Sequence, residues 1–177
     1  MNTAEKIAAT YLRLNGFLLL PHFTVFDGHD HNHIDLIGLR AAHSAERVGD
    51  LKFPVDEAFF SLVSERLKVD ATASLIAVIA EVRTNDKRET PSGAHIEYTK
   101  SFLGRVPAIA ISFAKDKASL EIDASGLKIG NAYALRWILE RIEWMDSKKM
   151  HLTKTGSWTL SEDFLSDILV LRDLKLR

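Results

Sequence analysis

Apolar positions follow a helical spacing at the start of the chain. Ile7, Tyr11 and Leu14 recur at intervals of three and four residues, which is typical of an amphipathic helix packed on a core. We predict that this helix begins at Thr3 as its N-cap and ends before Gly16, because Thr is a good capping residue and Gly is common where helices stop.

The pattern then changes to that of a β-hairpin. Residues 17–26 are mostly apolar and predict a first strand, which Pro21 interrupts or displaces because proline cannot donate to a ladder. Residues 27–32 have the composition of a turn. Residues 34–40 resume the strand pattern, so we predict a hairpin between these two strands.

The middle of the chain predicts an α/β arrangement. Residues 41–70 form an excursion from the sheet that contains a helix at 55–68. Residues 75–82 are apolar on both faces, which indicates a central strand covered on both sides. A helix at 94–103 precedes another apolar strand at 107–113, so we expect these two strands to be parallel, with a right-handed crossover.

The remaining residues predict a short strand and further helices. The strand covers 119–123, a long helix covers 131–146, and Ser161 is expected to cap a final helix. No linker or repeat divides the 177 residues, so we predict one domain. Its core is expected at about 3–113, with a helical C-terminal extension at about 119–177.

Composition narrows the classes of protein that fit this pattern. The chain is 46% hydrophobic and 27% charged, which is ordinary for a globular protein. No apolar run reaches the ~18 residues that a membrane-spanning helix needs. The absence of cysteine excludes disulfides, thiolate metal sites and cysteine nucleophiles. Together with the absence of a signal-peptide pattern, this composition predicts a cytoplasmic protein without a membrane partner.

The charge balance bears on nucleic-acid binding. A net charge of −1 provides no global attraction to phosphate, so binding would depend on a local basic patch. Basic residues cluster at 83–88, at 148–154 and at 172–177. Such clusters are also common on ordinary solvated surfaces.

Two carboxylates near the ends of predicted strands are the main candidates for chemistry. Asp35 lies in the second hairpin strand, and Glu81 closes the apolar strand at 75–82. A charge at the end of a buried strand is costly unless it is paired or binds a metal. If these strands pair antiparallel with both acids on one face, the carboxylates converge on one hard cation. Mg²⁺ fits such a site because it takes one or two carboxylates and keeps several waters.

These elements together resemble the PD-(D/E)XK nuclease superfamily. The resemblance rests on a helix that carries Glu5, a hairpin strand with Ile34-Asp35-Leu36, and an apolar strand that ends in Glu81-Val82-Arg83. The order of helix, three strands, helix and strand over residues 3–113 is also similar, with archaeal Holliday-junction resolvases and restriction-endonuclease-like proteins closest in pattern.

The resemblance implies a fold, an activity and a set of site residues. The fold would be restriction-endonuclease-like, with a mixed central sheet flanked by helices. The activity would be Mg²⁺-dependent or Mn²⁺-dependent hydrolysis of phosphodiester bonds in DNA. Asp35 and Glu81 would bind the metal, Arg83 would occupy the position of the family's lysine, and Glu5 would hold the outer shell.

Arg83 is a departure from the family pattern. Arginine stays protonated, so it can stabilise charge or orient water but cannot act as a base. Lys87 and Lys100 are candidate substitutes for the missing lysine. The same departure supports an alternative function, in which the fold has lost catalysis and serves as a nucleic-acid-binding or protein-interaction module.

Simpler interpretations of the same acids stay open. Glu81 and Arg83 form an ion pair in one of them, because residues two apart in a strand share a face. In another, Asp35 pairs with Arg40. Glu5 is also placed as an ordinary first-turn acid that interacts with the helix dipole.

Histidines and aromatic residues suggest two further hypotheses. The histidines suggest a zinc site. The aromatic residues suggest a homodimer contact, for which core packing is the alternative. The histidines concerned are His29, His31 and His33, and the aromatic residues are Phe59, Phe60, Trp137 and Trp144.

Overall fold

The computed structural model describes residues 1–27, 30–42, 47–48, 50–83, 93–114 and 119–148. None of the described helices is long and apolar enough to cross a membrane. In chain order the elements are α1 (Thr3–Leu14), β1 (Leu18–Asp27), β2 (Asp30–Arg40), β3 (Arg47–Val48), β4 (Leu51–Lys52), α2 (Glu57–Leu67), β5 (Ile76–Val82), α3 (Gly93–Leu103), β6 (Ala108–Ala114), β7 (Leu120–Asp123), β8 (Gly126–Gly130) and α4 (Asn131–Ser147).

Within the described residues, six strands form a mixed sheet in the order β1-β2-β5-β6-β8-β7. β1 is antiparallel to β2, and β2 is antiparallel to β5. β5 is parallel to β6, and β6 is parallel to β8, beside which β7 runs antiparallel. The predicted α/β class, the hairpin and the parallel pair across α3 are confirmed. The finer restriction-endonuclease-like fold stays a prediction.

The strand β5 is buried along its whole length, as its continuous apolar run predicts. Val78 belongs to the larger core cluster, to which α1, α2 and α4 also contribute. Ile79 points to the opposite face and packs with Ile37 and with Ile96 of α3. The helices therefore cover both faces of the central strand.

The start of α1 differs from the prediction, because Asn2 and not Thr3 is the N-cap. The Asn2 side chain accepts a hydrogen bond from the Glu5 backbone N–H at 3.0 Å. The Glu5 carboxylate accepts one from the Asn2 backbone N–H at 2.9 Å. This reciprocal pair is a capping box, which satisfies two backbone donors and favours a helix that starts one residue earlier.

The hairpin also differs from the prediction in two places. Pro21 lies within a continuous β1 and pairs with Leu36, which proline tolerates because β1 is an edge strand, and the gap in the ladder falls one residue later, at His22. Asp30 pairs with Asp27, so β2 already begins inside the segment predicted as a turn. Residues 28–29 lie outside the described part of the chain.

The region after β6 extends the sheet, where β7 confirms the strand predicted at 119–123, and residues 149–177 of the predicted helical extension lie outside the described part of the chain. β7 and β8 form a hairpin there, and the hydrophobic pattern missed β8. Leu127 and Ile129 are fully buried, and they alternate as strand residues do. The long helix is confirmed as α4, whereas the helix expected at Ser161 lies outside the described residues.

The aromatic residues considered for a homodimer contact pack inside the domain. Phe59 and Phe60 are buried in the main core. The Trp137 ring lies 5.4 Å from the Tyr11 ring, and Trp144 contacts Phe53 at 5.7 Å. The core interpretation is therefore confirmed for Phe59 and Phe60, whereas Trp137 and Trp144 are partly buried and pack against other described aromatic residues.

A buried carboxylate joins three of the helices that cover the main core. Asp56 is the N-cap of α2 and accepts a hydrogen bond from the Phe59 N–H at 3.1 Å. The Tyr11 hydroxyl on α1 donates to the same carboxylate at 2.6 Å, and the Tyr133 hydroxyl on α4 donates to it at 3.0 Å. This network fixes the relative positions of the helices above the sheet.

We expect this network to make the fold sensitive to alkali. Burial raises the pKa of Tyr11 and Tyr133 above their ordinary value of 10.0, and the negative charge of Asp56 raises it further. Because each pKa is higher in the folded state, the stabilisation is complete below about pH 10 and is lost as the pH rises above it. Urea unfolding between pH 8 and pH 11 checks this expectation.

The control for the alkaline experiment is the double variant Y11F/Y133F, which keeps both rings and removes both hydroxyls. Its free energy of unfolding should fall less steeply above pH 10 than that of the wild type. Equal slopes in the two proteins would contradict the assignment of the alkaline loss to these tyrosines.

Candidate functional site

The pairing of β2 with β5 brings the two predicted metal ligands to the same end of one ladder. Ile37 pairs with Ile79, and Leu36 pairs with Ala80 as the last pair of that ladder. Asp35 and Glu81 are the residues next to this last pair, one on each strand. The antiparallel pairing on which the metal hypothesis depends is therefore present, and both acids lie on central strands of the sheet.

The Asp35 carboxylate is held by the backbone of β5. The Val82 N–H donates a hydrogen bond to Asp35 Oδ2 at 2.7 Å. The next N–H along, that of Arg83, points the other way and donates to the Phe113 carbonyl at 2.9 Å. Asp35 thus provides an acceptor for a buried donor at the place where the β2–β5 ladder ends. A carboxylate has about four acceptor positions, so this one bond leaves capacity for a cation.

Arg40, the predicted alternative partner of Asp35, has other partners in the structure. Arg40 is buried at the other end of β2, where it donates to the Asn15 carbonyl at 3.0 Å and to the Ala71 carbonyl at 3.1 Å. The Arg40 guanidinium also lies over the Phe60 ring at 4.5 Å. Arg40 therefore has a structural role in the core.

Glu81 and Arg83 form the ion pair that the simpler interpretation predicted. Arg83 Nη2 lies 3.6 Å from Glu81 Oε2. The Glu81 side chain is only 6% exposed, whereas that of Arg83 is 37% exposed. Glu81 therefore places a carboxylate inside the protein, and Arg83 extends a permanent positive charge from it towards solvent.

The described contacts of Glu5 are with residues other than Asp35 and Glu81. Asn2 donates to it from its backbone N–H and from its side-chain amide, the latter at 2.8 Å. The N-terminal ammonium lies 3.7 Å away, and His22 Nε2 lies 3.9 Å away. The role of Glu5 as a helix-capping acid is thus visible, and an outer-shell role stays a prediction.

The β1–β2 ladder has a local gap beside Asp35. Pro21 pairs with Leu36 and Phe23 pairs with Ile34, which leaves His22 opposite Asp35 without a ladder pair. His22 adopts a φ of 53°, which is uncommon for a residue other than glycine. His22 Nε2 also lies 3.9 Å from the Glu5 carboxylate, so His22 connects the first helix to the gap beside Asp35.

Ser112 is the site residue that the sequence did not reveal. It pairs with Glu81 across β5 and β6, and it pairs with Lys128 on its other side. Lys128 forms an ion pair with Asp123 on β7. The signal was weak, since Ser112 is the one polar residue in the predicted strand at 107–113.

Lys100 and His33, the other predicted candidates whose side chains are described, have contacts away from the two acids. Lys100 of α3 is half exposed and forms an ion pair with Glu97 at 3.0 Å. His33 Nδ1 lies 3.2 Å from the Thr24 hydroxyl. Within the described ranges, no group of three or more metal-binding side chains is present. Lys87 and His29 fall outside those ranges, as do most residues of the three basic clusters.

Comparison with known proteins does not identify a relative. No protein-family model, curated protein or solved structure matches this chain. The resemblance to the PD-(D/E)XK superfamily therefore rests on the quoted residues and on the order of the elements.

Proposed function

We propose that Asp35 and Glu81 bind one divalent cation, Mg²⁺ or Mn²⁺, and that the protein hydrolyses phosphodiester bonds of DNA. The observation that supports this proposal is that each acid is next to the last pair of the ladder between the central strands β2 and β5, where Asp35 also accepts a hydrogen bond from the Val82 N–H. The donor set fits such a cation, because carboxylate oxygens are hard ligands and Mg²⁺ requires only one or two of them.

Each side chain has a distinct role in this proposal. When bound, the cation would polarise a phosphoryl oxygen and increase the acidity of an attacking water. Val82 fixes the orientation of Asp35 through its backbone N–H. A guanidinium is a cationic donor and not a base, so Arg83 stabilises the negative charge that develops on the phosphate and does not remove a proton.

The proposal also includes DNA as the substrate, a cytoplasmic location and a homodimer. DNA supplies the phosphodiester, and Arg83 with the basic clusters would provide the local positive charge that the net charge of −1 does not. We also propose a cytoplasmic location and retain the homodimer as a proposal, which sedimentation equilibrium would test. The result of the metal-binding experiment below does not depend on DNA binding or on dimerisation.

Binding of Mn²⁺ is the first test of the proposed site. A cation present at a hundred times its dissociation constant stabilises the folded state by about 2.7 kcal/mol. For a domain of this size, that corresponds to a rise in melting temperature of roughly 5–10 °C. We expect this rise in the wild type and not in Asp35→Asn or Glu81→Gln.

The chosen variants keep the fold as far as the chain allows. Asparagine at position 35 retains an oxygen that can accept the Val82 N–H, while it removes the charge. Glu121→Gln is the matched control, because it neutralises an exposed acid on the edge strand β7 of the same sheet. A wild-type protein whose melting temperature does not change with Mn²⁺ would refute the metal site.

One observation favours a second candidate function. Glu81 already has an internal cation, since Arg83 lies within ion-pair distance where the resembled family has lysine. A stable pair of this kind would suit a binding module that has lost catalysis. No response to Mn²⁺, combined with DNA binding that weakens steeply as salt rises, would support the module over the enzyme.

A further inference from the structure

A buried hydroxyl that has no hydrogen-bond partner among the described residues lies next to Glu81. Ser112 is fully buried on β6, and its Oγ has no hydrogen-bond partner within the described part of the chain. Leaving a buried polar group unsatisfied costs about 1–3 kcal/mol, so such groups are uncommon. The neighbouring positions on the same face of β6 are Ala110 and Ala114, which shows that a small apolar residue suits this surface. Packing alone does not explain the serine.

The position of this hydroxyl relates it to the proposed cation. Ser112 pairs directly with Glu81 on the adjacent parallel strand, so the two side chains lie next to each other on one face. Asp35 lies on β2, on the other side of β5 from Ser112, and accepts a hydrogen bond from the N–H of Val82, the residue after Glu81. With neighbouring strands about 4.8 Å apart, the three Cα positions span roughly 10 Å. One hydrated divalent ion bridges such a distance.

We propose that Ser112 is a positioning residue of this cation site, whose hydroxyl forms a hydrogen bond with a water molecule in the coordination shell of the ion. The inference rests on the proposed function, because it requires a cation at Asp35 and Glu81. Mg²⁺ and Mn²⁺ bound by two carboxylates retain several waters, and a hydroxyl can accept a hydrogen bond from one of them. Outer-shell partners of this kind change metal affinity by about 10–100-fold.

Two other buried polar atoms without described partners do not share this position. Thr10 Oγ1 lies on α1, and Asn131 Oδ1 lies at the first residue of α4. Neither residue belongs to a strand of the sheet that carries the two acids. Thr10 is therefore a suitable control, because it is also a buried hydroxyl without a partner in the described residues.

The test compares Mn²⁺ affinity with stability in the absence of metal. We expect Ser112→Ala to weaken Mn²⁺ binding about tenfold in isothermal titration calorimetry. Without metal, the same variant should be as stable as the wild type or more stable, because it removes an unsatisfied hydroxyl. Ser112→Thr keeps the hydroxyl and should retain most of the affinity, while Thr10→Val should leave the affinity unchanged.

The outcomes separate this inference from the function on which it rests. Wild-type Mn²⁺ affinity in Ser112→Ala, together with lost binding in Asp35→Asn, would overturn the role of Ser112 and leave the metal site standing. A tenfold loss in both Ser112→Ala and Thr10→Val would show a general effect of core substitution, which also overturns it. A wild-type protein that binds no Mn²⁺ would refute the proposed function and this inference together.

Discussion

Asp35→Asn and Glu81→Gln should each abolish metal-dependent cleavage of DNA while leaving the domain folded. A bound cation contributes several kcal/mol of transition-state stabilisation, and about 4 kcal/mol corresponds to a thousandfold change in rate. We therefore expect a loss on the order of a thousandfold in kcat/KM for either variant. Cleavage of a fluorescent DNA duplex with and without Mg²⁺ measures it, and circular dichroism checks the fold.

Substitutions at Arg83 refine this experiment. Arg83→Lys keeps a positive charge beside Glu81 and restores the residue type of the resembled family, so it should retain or increase activity. Arg83→Met removes the charge and should lower kcat more than it raises KM, because the guanidinium acts mainly in the transition state. Cleavage that persists in both Asp35→Asn and Glu81→Gln would contradict the proposed active site, whatever the result at Arg83.

The central part of the fold could be predicted because its signals are local and strong. Residues 75–82 are apolar at almost every position, and such a run has few stable alternatives to a doubly covered strand. The placement of Asp35 and Glu81 at the same end of the β2–β5 ladder followed from the assumption of antiparallel pairing, together with the period of two in strands. That part of the site needs only strand geometry.

The parts that were missed depend on longer-range pairing. β8 is short, and its pattern of Gly126, Leu127, Lys128, Ile129 and Gly130 carries little strand propensity. It becomes a strand because β6 and β7 pair with it on both sides. The position of Ser112 was hidden for the same reason, since only the register of β5 against β6 brings it next to Glu81.

Buried polar residues were the least predictable feature of the chain. Arg40 is almost fully buried, whereas the sequence indicated it only as an alternative partner of Asp35. Its partners are backbone carbonyls of residues 15, 71 and 72, which are distant in the chain. Hydrophobic periodicity cannot indicate such partners, because they are defined only once the loops have packed.

Asp56 is the buried polar residue whose substitution we expect to lower stability most. Its carboxylate accepts hydrogen bonds from the Phe59 N–H, the Tyr11 hydroxyl and the Tyr133 hydroxyl, so one side chain serves α1, α2 and α4 together. Asp56→Ala would remove the N-cap of α2, at a cost of about 1 kcal/mol. It would also leave two tyrosine hydroxyls unsatisfied, at about 1–3 kcal/mol each when buried.

We therefore expect Asp56→Ala to lower the free energy of unfolding by roughly 3–5 kcal/mol, a large fraction of the stability of a typical domain. Urea unfolding at pH 7 measures this loss. Asp56→Asn keeps an acceptor oxygen and should cost less, while Glu57→Ala, at the adjacent exposed acid, should change stability by less than about 0.5 kcal/mol. Equal stability of Asp56→Ala and Glu57→Ala would mean that the three helices do not depend on this carboxylate.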